Sequence, residues 1–193
     1  IPMAAVRFLS AARTCCRSMH SNPRVWNVYL SGEIHSDWRE VIKKGILARQ
    51  LPVEFTFPNL SHEDSDDCGA LILGDEAVRQ NYDNKGAKMN LLRTRTLIEE
   101  ADIVCVRFGD KYRQWNAAFD AGYAAAKGIP IITLHPKSLG HMLKEVNAGA
   151  LAVCEEPEQI VDILDYTITG KLPAAKDGFV PMVERVGPGN PAP

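Results

Sequence analysis

The feature that most limits the fold of this chain is a regular alternation of short apolar runs with helical stretches between residues 25 and 168. The apolar runs are rich in residues that favour strands, and the segments between them space their apolar residues as helices do. Strands that alternate with helices predict a parallel sheet with both faces covered. The predicted strands are residues 25–30, 51–57, 102–107, 129–134 and 150–153.

The segments between these strands predict the helices that cover the sheet. Asp37 and Glu40 have the spacing of a capping box, which indicates a helix that begins there and continues to about Ala48. The acidic run at residues 62–67 is typical of a solvated loop, and Gly128 is placed to end a helix. The other predicted helices are residues 71–80, 88–100, 115–127, 139–146 and 157–167. We therefore expect a doubly wound α/β domain whose five-stranded parallel sheet has the flavodoxin-like or Rossmann-like order 2-1-3-4-5.

Composition predicts the domain boundaries. Residues 25–170 form the expected domain, and residues 171–193 form an irregular tail rich in Pro and Gly. Residues 1–24 form an extension with four arginines and no acidic residue, which is typical of a mitochondrial transit peptide. The alternative is an extension ahead of a cytosolic domain. Both interpretations predict an intracellular protein, either cytoplasmic or mitochondrial.

Charge and hydropathy exclude two classes of partner. A formal net charge of -2 lacks the basic footprint of a nucleic-acid-binding protein, and no apolar run approaches the roughly 20 residues of a membrane span. The five cysteines are odd in number and have no C-x-x-C spacing, which indicates a reducing compartment. We expect a small-molecule ligand, with neither nucleic acid nor a membrane as partner.

A ligand site is expected where the strand order reverses, beyond the carboxyl ends of the first and third strands. Ser31, Gly32, Glu33 and His35 follow the first strand, and residues 108–112 follow the third. The chain has no Walker loop, no G-x-G-x-x-G and no H-E-x-x-H. We therefore expect neither a cofactor nor a metal at this site.

Three residues are the strongest candidates for chemistry. Asp120 lies in an alanine-rich helix, where a buried acid is costly unless it is paired or used in function. It is either a functional carboxylate or one that Tyr123 or a neighbouring helix end holds. Glu33 and His35 have the position of an acid/base pair that meets a ligand. Asp37 is interpreted as a helix cap.

Aromatic and cationic side chains near the same strand ends are candidates for ligand contacts. The aromatic ones either stack on a base or pack against the domain. Arg95 is instead expected to pair with Glu99 four residues later. The candidate stacking and anion-binding residues are Trp38, Trp115, Arg39, Arg93 and Lys111. The histidines that show no metal-ligand arrangement are His62, His135 and His141.

Two motifs resemble those of a known family. Residues 29–32, YLSG, resemble the Y-L-A-G motif on the first strand of the nucleoside 2-deoxyribosyltransferases. Residues 116–124, NAAFDAGYA, resemble their G-T-x-x-E-x-G-Y-A helix. The longer strings at residues 29–40 and 111–123 are most similar to the YtoQ-like family. This resemblance covers residues 25–168 and implies the same fold.

The resemblance also implies an activity. In the family, a glutamate of that helix attacks the anomeric carbon of a 2-deoxyribonucleoside, and another base or water then takes the sugar. Asp120 matches this glutamate and is one methylene shorter. Gln114 and Thr94 stand where the family has aspartates, and Glu33 replaces a proline. The family further implies a homo-oligomer in which a neighbouring copy completes each site.

The leading hypothesis is an N-glycosidic enzyme, either a transferase or a hydrolase, that acts on a nucleoside, a nucleotide or a related N-riboside. Asp120 serves as nucleophile or stabilises an oxocarbenium ion, and Glu33 or His35 protonates the leaving base. One alternative is a non-catalytic sensor of a nucleotide-like ligand, and another is a scaffold with a vestigial site. The expected substrate-binding residues are Tyr29, Ser31, Gly32, Trp38, Arg39, Arg93, Thr94, Phe108, Gly109, Lys111, Gln114, Trp115 and Asn116.

Overall fold

The computed structural model describes residues 24–111 and 114–182, so the predicted extension before residue 24 and the end of the predicted tail lie outside the described residues. The strands are β1 Trp26–Gly32, β2 Val53–Thr56, β3 Ile103–Arg107, β4 Ile131–Leu134 and β5 Ala152–Cys154. These strands form one sheet in the order β2-β1-β3-β4-β5, and every pair of neighbouring strands is parallel. This confirms the predicted fold class and strand order.

Helices cover both faces of the sheet. The helices are α1 Trp38–Ala48, α2 His62–Leu73, α3 Arg79–Glu99, α4 Trp115–Ala126, α5 Lys144–Ala148 and α6 Pro157–Thr169. One core cluster joins one face of the strands to α1 and α6, and the other joins the opposite face to α3 and α4. In place of the helix predicted at residues 139–146, the structure has a 3-10 turn at Lys137–Leu139 followed by α5.

Side chains alternate between the two faces of the sheet along β1, and this alternation places Ser31 on the face that α4 covers. Val28 and Leu30 pack in the cluster with α1 and α6, whereas Tyr29 packs in the cluster with α3 and α4. Successive strand residues point to opposite faces, so Ser31 lies on the same face as Tyr29. On that face the buried alanines of α4 let the helix approach the sheet closely. These alanines are Ala117, Ala121 and Ala124.

The start of α1 differs from the predicted capping box. Asp37 is the N-cap residue of α1, but its side chain makes no capping hydrogen bond. Its φ of -86° and ψ of 9° depart from the extended conformation that lets a cap side chain reach back to the helix. Glu40 forms an ion pair with Lys43 at 2.8 Å instead. The predicted end of this helix at Ala48 is confirmed.

The region between β2 and β3 corrects two predictions. Residues 62–67 begin helix α2 rather than forming a solvated loop, and the helix predicted at 71–80 is interrupted after Leu73. Helix α3 begins at Arg79, well before the predicted residue 88. Ser61 caps α2 by accepting the Asp64 N–H at 3.2 Å. The two helices therefore form a hairpin beside the carboxyl end of β1.

Two glycines allow α2 and α3 to cross closely. A Cβ atom on Gly69 would lie 2.3 Å from the Gly86 nitrogen, and a Cβ atom on Gly86 would lie 2.8 Å from the Asp66 carbonyl oxygen. Both distances are far below van der Waals contact, and the neighbouring atoms belong to backbone. The hairpin therefore depends on the absence of side chains at this crossing.

We predict that Gly69→Ala lowers the free energy of unfolding by about 1–3 kcal/mol, because the added methyl overpacks a backbone contact. Gly122→Ala in α4 is the matched control, since a Cβ atom there meets nothing within 4 Å. Helix propensity alone should make the control more stable by about 0.5–1 kcal/mol. Urea unfolding of both variants measures the difference. Equal stability of the two variants would show that the crossing is loose.

Candidate active site

Gly32 ends β1 in a conformation that a side chain would not allow. Its φ is +100°, and a Cβ atom would lie 2.0 Å from the Arg107 carbonyl oxygen on β3. The Glu33 N–H donates to that same carbonyl at 3.1 Å. The chain thus leaves the sheet between β1 and β3, at the point where the strand order reverses.

Asp120 is a buried carboxylate at this point. Only 8 % of the residue is exposed, and Ser31 Oγ donates a hydrogen bond to Asp120 Oδ2 at 2.6 Å. Burial raises the pKa of Asp120 to about 6, and the hydrogen bond from Ser31 limits the rise. At neutral pH the carboxylate is therefore predominantly ionised, although it is largely withdrawn from water.

Asp120 and Arg95 have other neighbours in the structure than the sequence predicted. Tyr123 donates its hydroxyl to Glu99 rather than holding Asp120. Glu99 pairs with Lys127 at 2.7 Å, whereas the guanidinium of Arg95 lies 5.0 Å from the centre of the Tyr123 ring. These contacts lie on the exposed side of α4. They leave Ser31 as the side chain that holds Asp120.

Glu33 organises the loop that follows β1. Its carboxylate accepts hydrogen bonds from the His35 N–H, the Ser36 N–H and the Ser36 hydroxyl. Arg107 Nε lies 3.6 Å from Glu33 Oε2, which is ion-pair range but beyond a hydrogen bond. Burial alone would raise the pKa of Glu33, but these hydrogen bonds and the Arg107 charge outweigh burial and lower it. Glu33 is therefore an ionised carboxylate that holds the loop.

Trp38 and Arg39, at the start of α1, also form hydrogen bonds to the end of β1 and the loop that follows it. The Trp38 indole N–H donates to the Glu33 carbonyl at 2.8 Å. Arg39 is 4 % exposed and donates to the carbonyl oxygens of Leu30, Gly32 and Glu33 at 2.6–3.2 Å. Both side chains are thus engaged in holding the end of β1, and neither lines the cavity described next.

A cavity of about 770 Å³ opens above Asp120 between this loop, α4 and the α2–α3 hairpin. It brings together ten of the residues selected from the sequence. These are Ser31, Gly32, Glu33, His35, Arg93, Thr94, Gln114, Trp115, Asn116 and Asp120. Six others lie outside its lining, namely Tyr29, Trp38, Arg39, Phe108, Gly109 and Lys111.

The candidate residues that do not line the cavity lie in the core or on the loop after β3. Tyr29 and Phe108 are buried in the core on the α4 face. Gly109 donates its N–H to Gln114 Oε1 at 3.2 Å, and Lys111 is exposed on the loop after β3. The Tyr29 hydroxyl lies near the Thr94 side chain and the Asp120 carboxylate. Burial and the nearby Asp120 charge raise the pKa of this hydroxyl.

Sequence reasoning missed one wall of the cavity. His62 and Ser65 on α2 line the cavity, but they fall in the acidic run predicted as a loop. Asn90 on α3 also lines the cavity, although it was not among the candidate site residues. The His62 ring stacks on the His35 ring with 5.9 Å between the ring centres. The serine before the acidic run and the two spaced glycines were the signals that could have indicated a helical hairpin here.

The described residues hold neither a metal-ligand cluster nor a membrane-spanning helix. No group of three or more His, Cys, Asp and Glu side chains within residues 24–111 and 114–182 is arranged to hold a metal ion. No helix among the same residues is both long enough and apolar enough to cross a membrane.

Comparison with known proteins gives a family match and a relative from Bacillus subtilis. Residues 29–168 match the model of the family described as Nucleoside 2-deoxyribosyltransferase YtoQ. The chain is 44 % identical over 139 residues to the uncharacterized protein YtoQ of Bacillus subtilis (strain 168), and the match covers 72 % of this chain and 94 % of that protein.

Among solved structures, a conserved protein from Enterococcus faecalis V583 has a TM-score of 0.50 at 16 % identity, covering 75 % of this chain and 99 % of that one. The 2-deoxyribosyltransferase from Bacillus psychrosaccharolyticus has a TM-score of 0.45 at 18 % identity, covering 70 % and 90 %. At 16 % identity, the likeness to the Enterococcus faecalis protein concerns the fold alone.

We predict that Arg39→Lys lowers the free energy of unfolding by about 1–3 kcal/mol. A lysine keeps the charge but not the fork of donors, so buried carbonyl groups at the end of β1 lose their partners. Arg79→Lys is the control, because Arg79 forms an exposed pair with Asp83 that contributes little. Chemical denaturation compares the two. The support role is wrong if both substitutions leave stability unchanged.

Proposed function

We propose that this chain, which belongs to the nucleoside 2-deoxyribosyltransferase YtoQ family, is an enzyme that cleaves the N-glycosidic bond of a nucleoside or nucleotide. The observation that carries the proposal is the buried carboxylate of Asp120 on the wall of a large cavity. The family match and the position of Asp120 at the strand-order reversal support it. Transferase and hydrolase share the first step and differ only in the acceptor of the sugar.

The proposed reaction begins with Asp120 at the anomeric carbon. As the bond from this carbon to the base nitrogen breaks, the electron pair leaves with the base and the sugar takes on oxocarbenium character. The anionic Asp120 stabilises that charge and then forms a bond to the carbon. Water or a second base attacks the same carbon in the next step and releases Asp120.

His35 is better suited than Glu33 to give the leaving base its proton. Both line the cavity, but the carboxylate of Glu33 is engaged by several donors and its pKa is lowered. An acid that is held ionised has no proton to give. His35 would donate a proton to the departing base and recover one from the water or base that attacks next.

Ser31 is proposed to keep Asp120 in place for this attack. Aspartate reaches less far than glutamate, so its carboxylate must be fixed at a suitable distance from the sugar. The 2.6 Å hydrogen bond from Ser31 to Asp120 Oδ2 fixes one oxygen and leaves Oδ1 to react.

The second candidate function is a sensor that binds a nucleotide-like ligand without cleaving it. The neutral Gln114 and Thr94 on the cavity wall favour it, because the resemblance places carboxylates at both positions. Calorimetric binding of nucleosides or nucleotides with no base released on long incubation would support the sensor. Base release by the purified chain would exclude it.

The chain is further proposed to act as a homo-oligomer. Trp115 is 71 % exposed and Phe119 is 51 % exposed, and both stand on the wall of the cavity. Exposed aromatic side chains beside a ligand site are typical of a surface that another copy covers. Sedimentation equilibrium of the full chain tests this, and a monomer at micromolar concentration would contradict it.

We predict that Asp120→Asn abolishes base release, by at least about 10³-fold, because the nucleophile is lost while its shape and the hydrogen bond from Ser31 remain. Asp177→Asn, a change at an exposed carboxylate in the segment after α6 and outside the cavity lining, is the matched control and should retain activity. Chromatography of released base from a panel of nucleosides and their monophosphates provides the measurement. Undiminished turnover by the Asp120 variant would refute the proposal.

We also predict that the difference in the free energy of unfolding between wild type and Asp120→Asn depends on pH. The folded-state pKa of Asp120 is raised to about 6, so the folded state binds a proton more tightly than the unfolded state does. This group's contribution to the free energy of unfolding therefore falls as the pH rises from about 4 to 6. Asp120→Asn should gain stability relative to wild type over that interval and keep the gain at pH 8.

A further inference from the structure

Arg93 differs from the other arginines that the structure describes. Arg39 donates to buried carbonyl oxygens, and Arg95 lies over an aromatic ring. The arginines that have a carboxylate within 4.0 Å are Arg24, Arg49, Arg79 and Arg107. Within residues 24–111 and 114–182, Arg93 makes one hydrogen bond, from Nη1 to the Phe57 carbonyl at 2.8 Å, and has no carboxylate partner. Arg93 lines both the main cavity and a second pocket beside it.

A side pocket adjoins the main cavity at Arg93. It has a volume of about 420 Å³ and is lined by Phe57, Pro58, Asn59, Leu60, Ser61 and Arg93. Four of these six residues, Pro58, Asn59, Ser61 and Arg93, also line the main cavity. None of the six is acidic. The side pocket therefore has a permanent positive charge that no carboxylate of its lining neutralises.

Two polar side chains of the side pocket accept hydrogen bonds from backbone N–H groups and keep their own donors for a ligand. Asn59 Oδ1 accepts the Ser61 N–H at 3.1 Å, so the amide NH₂ is the part of Asn59 left to bind a ligand. Ser61 Oγ accepts the Asp64 N–H at 3.2 Å, so its hydroxyl hydrogen is left to donate. Guanidinium, amide and hydroxyl together present donors and a positive charge, which is a setting for an anion.

We propose that this side pocket binds the phosphate of a nucleoside monophosphate, so that the phosphorylated compound rather than the free nucleoside is the substrate. Arg93 makes the charge-assisted hydrogen bonds, since a guanidinium matches two phosphate oxygens at once. Asn59 and Ser61 supply neutral donors. The sugar then lies between the side pocket and Asp120 within the continuous cavity. Calling this ligand the substrate rests on the proposed N-glycosidic function.

Calorimetry with matched pairs of ligands tests the phosphate site. The pairs are 2-deoxyribose 5-phosphate with 2-deoxyribose, and each deoxynucleoside 5′-monophosphate with its deoxynucleoside. The wild-type chain should bind the phosphorylated member at least about 10-fold more tightly, and Arg93→Gln should remove this preference. Arg95→Gln is the matched control on the same helix and should keep it. Equal affinity within the pairs, a preference that survives in Arg93→Gln, or no binding of any phosphorylated ligand would overturn the inference.

Base release from the same ligands separates this inference from the proposed function. If nucleosides are cleaved as efficiently as their monophosphates, and Arg93→Gln changes neither, the phosphate site is refuted while the N-glycosidic function stands. If phosphorylated ligands bind in an Arg93-dependent manner and no base is ever released, the phosphate site is supported and the N-glycosidic function is refuted. Binding of inorganic phosphate without binding of any phosphorylated sugar would contradict the inference.

Discussion

The hydrogen bond from Ser31 to Asp120 joins the two parts of the chain that form the site. Ser31 lies at the end of β1, and Asp120 lies in a helix more than eighty residues later. The bond forms because β1 turns Ser31 toward the α4 face and because the alanines of α4 bring the helix close to the sheet. A carboxylate is thereby held in a buried position that would be costly without a partner.

The loop after β1 is held as firmly as the carboxylate that it faces. Glu33 binds the backbone of the loop from within, while Arg39 and Trp38 bind its carbonyl oxygens from below. These contacts hold the loop at the strand-order reversal, where Ser31 and His35 line the cavity together with Asp120. For the proposed reaction, groups that are already in place would need little reorganisation.

The strand order and the place of the cavity could be predicted because they depend on local patterns and a general topological rule. The α2–α3 hairpin could not, since its acidic start has no apolar periodicity and its crossing depends on Gly69 and Gly86, which meet only after folding. The positions of the Trp38 and Arg39 side chains could not be predicted from the sequence either. Either side chain at a helix start can face a ligand or pack beneath a loop, and only the position of the carbonyl oxygens decides between these alternatives.

The central claim is that Asp120 forms a bond to the anomeric carbon of the substrate. Mass spectrometry after acid quench of a single turnover tests it most directly, with nucleosides and nucleoside monophosphates that release base as the substrates. A sugar adduct on the peptide that contains Asp120, absent from the Asp120→Asn variant, is the expected result. Stoichiometric release of base with the sugar on another residue, or on none, would contradict the account.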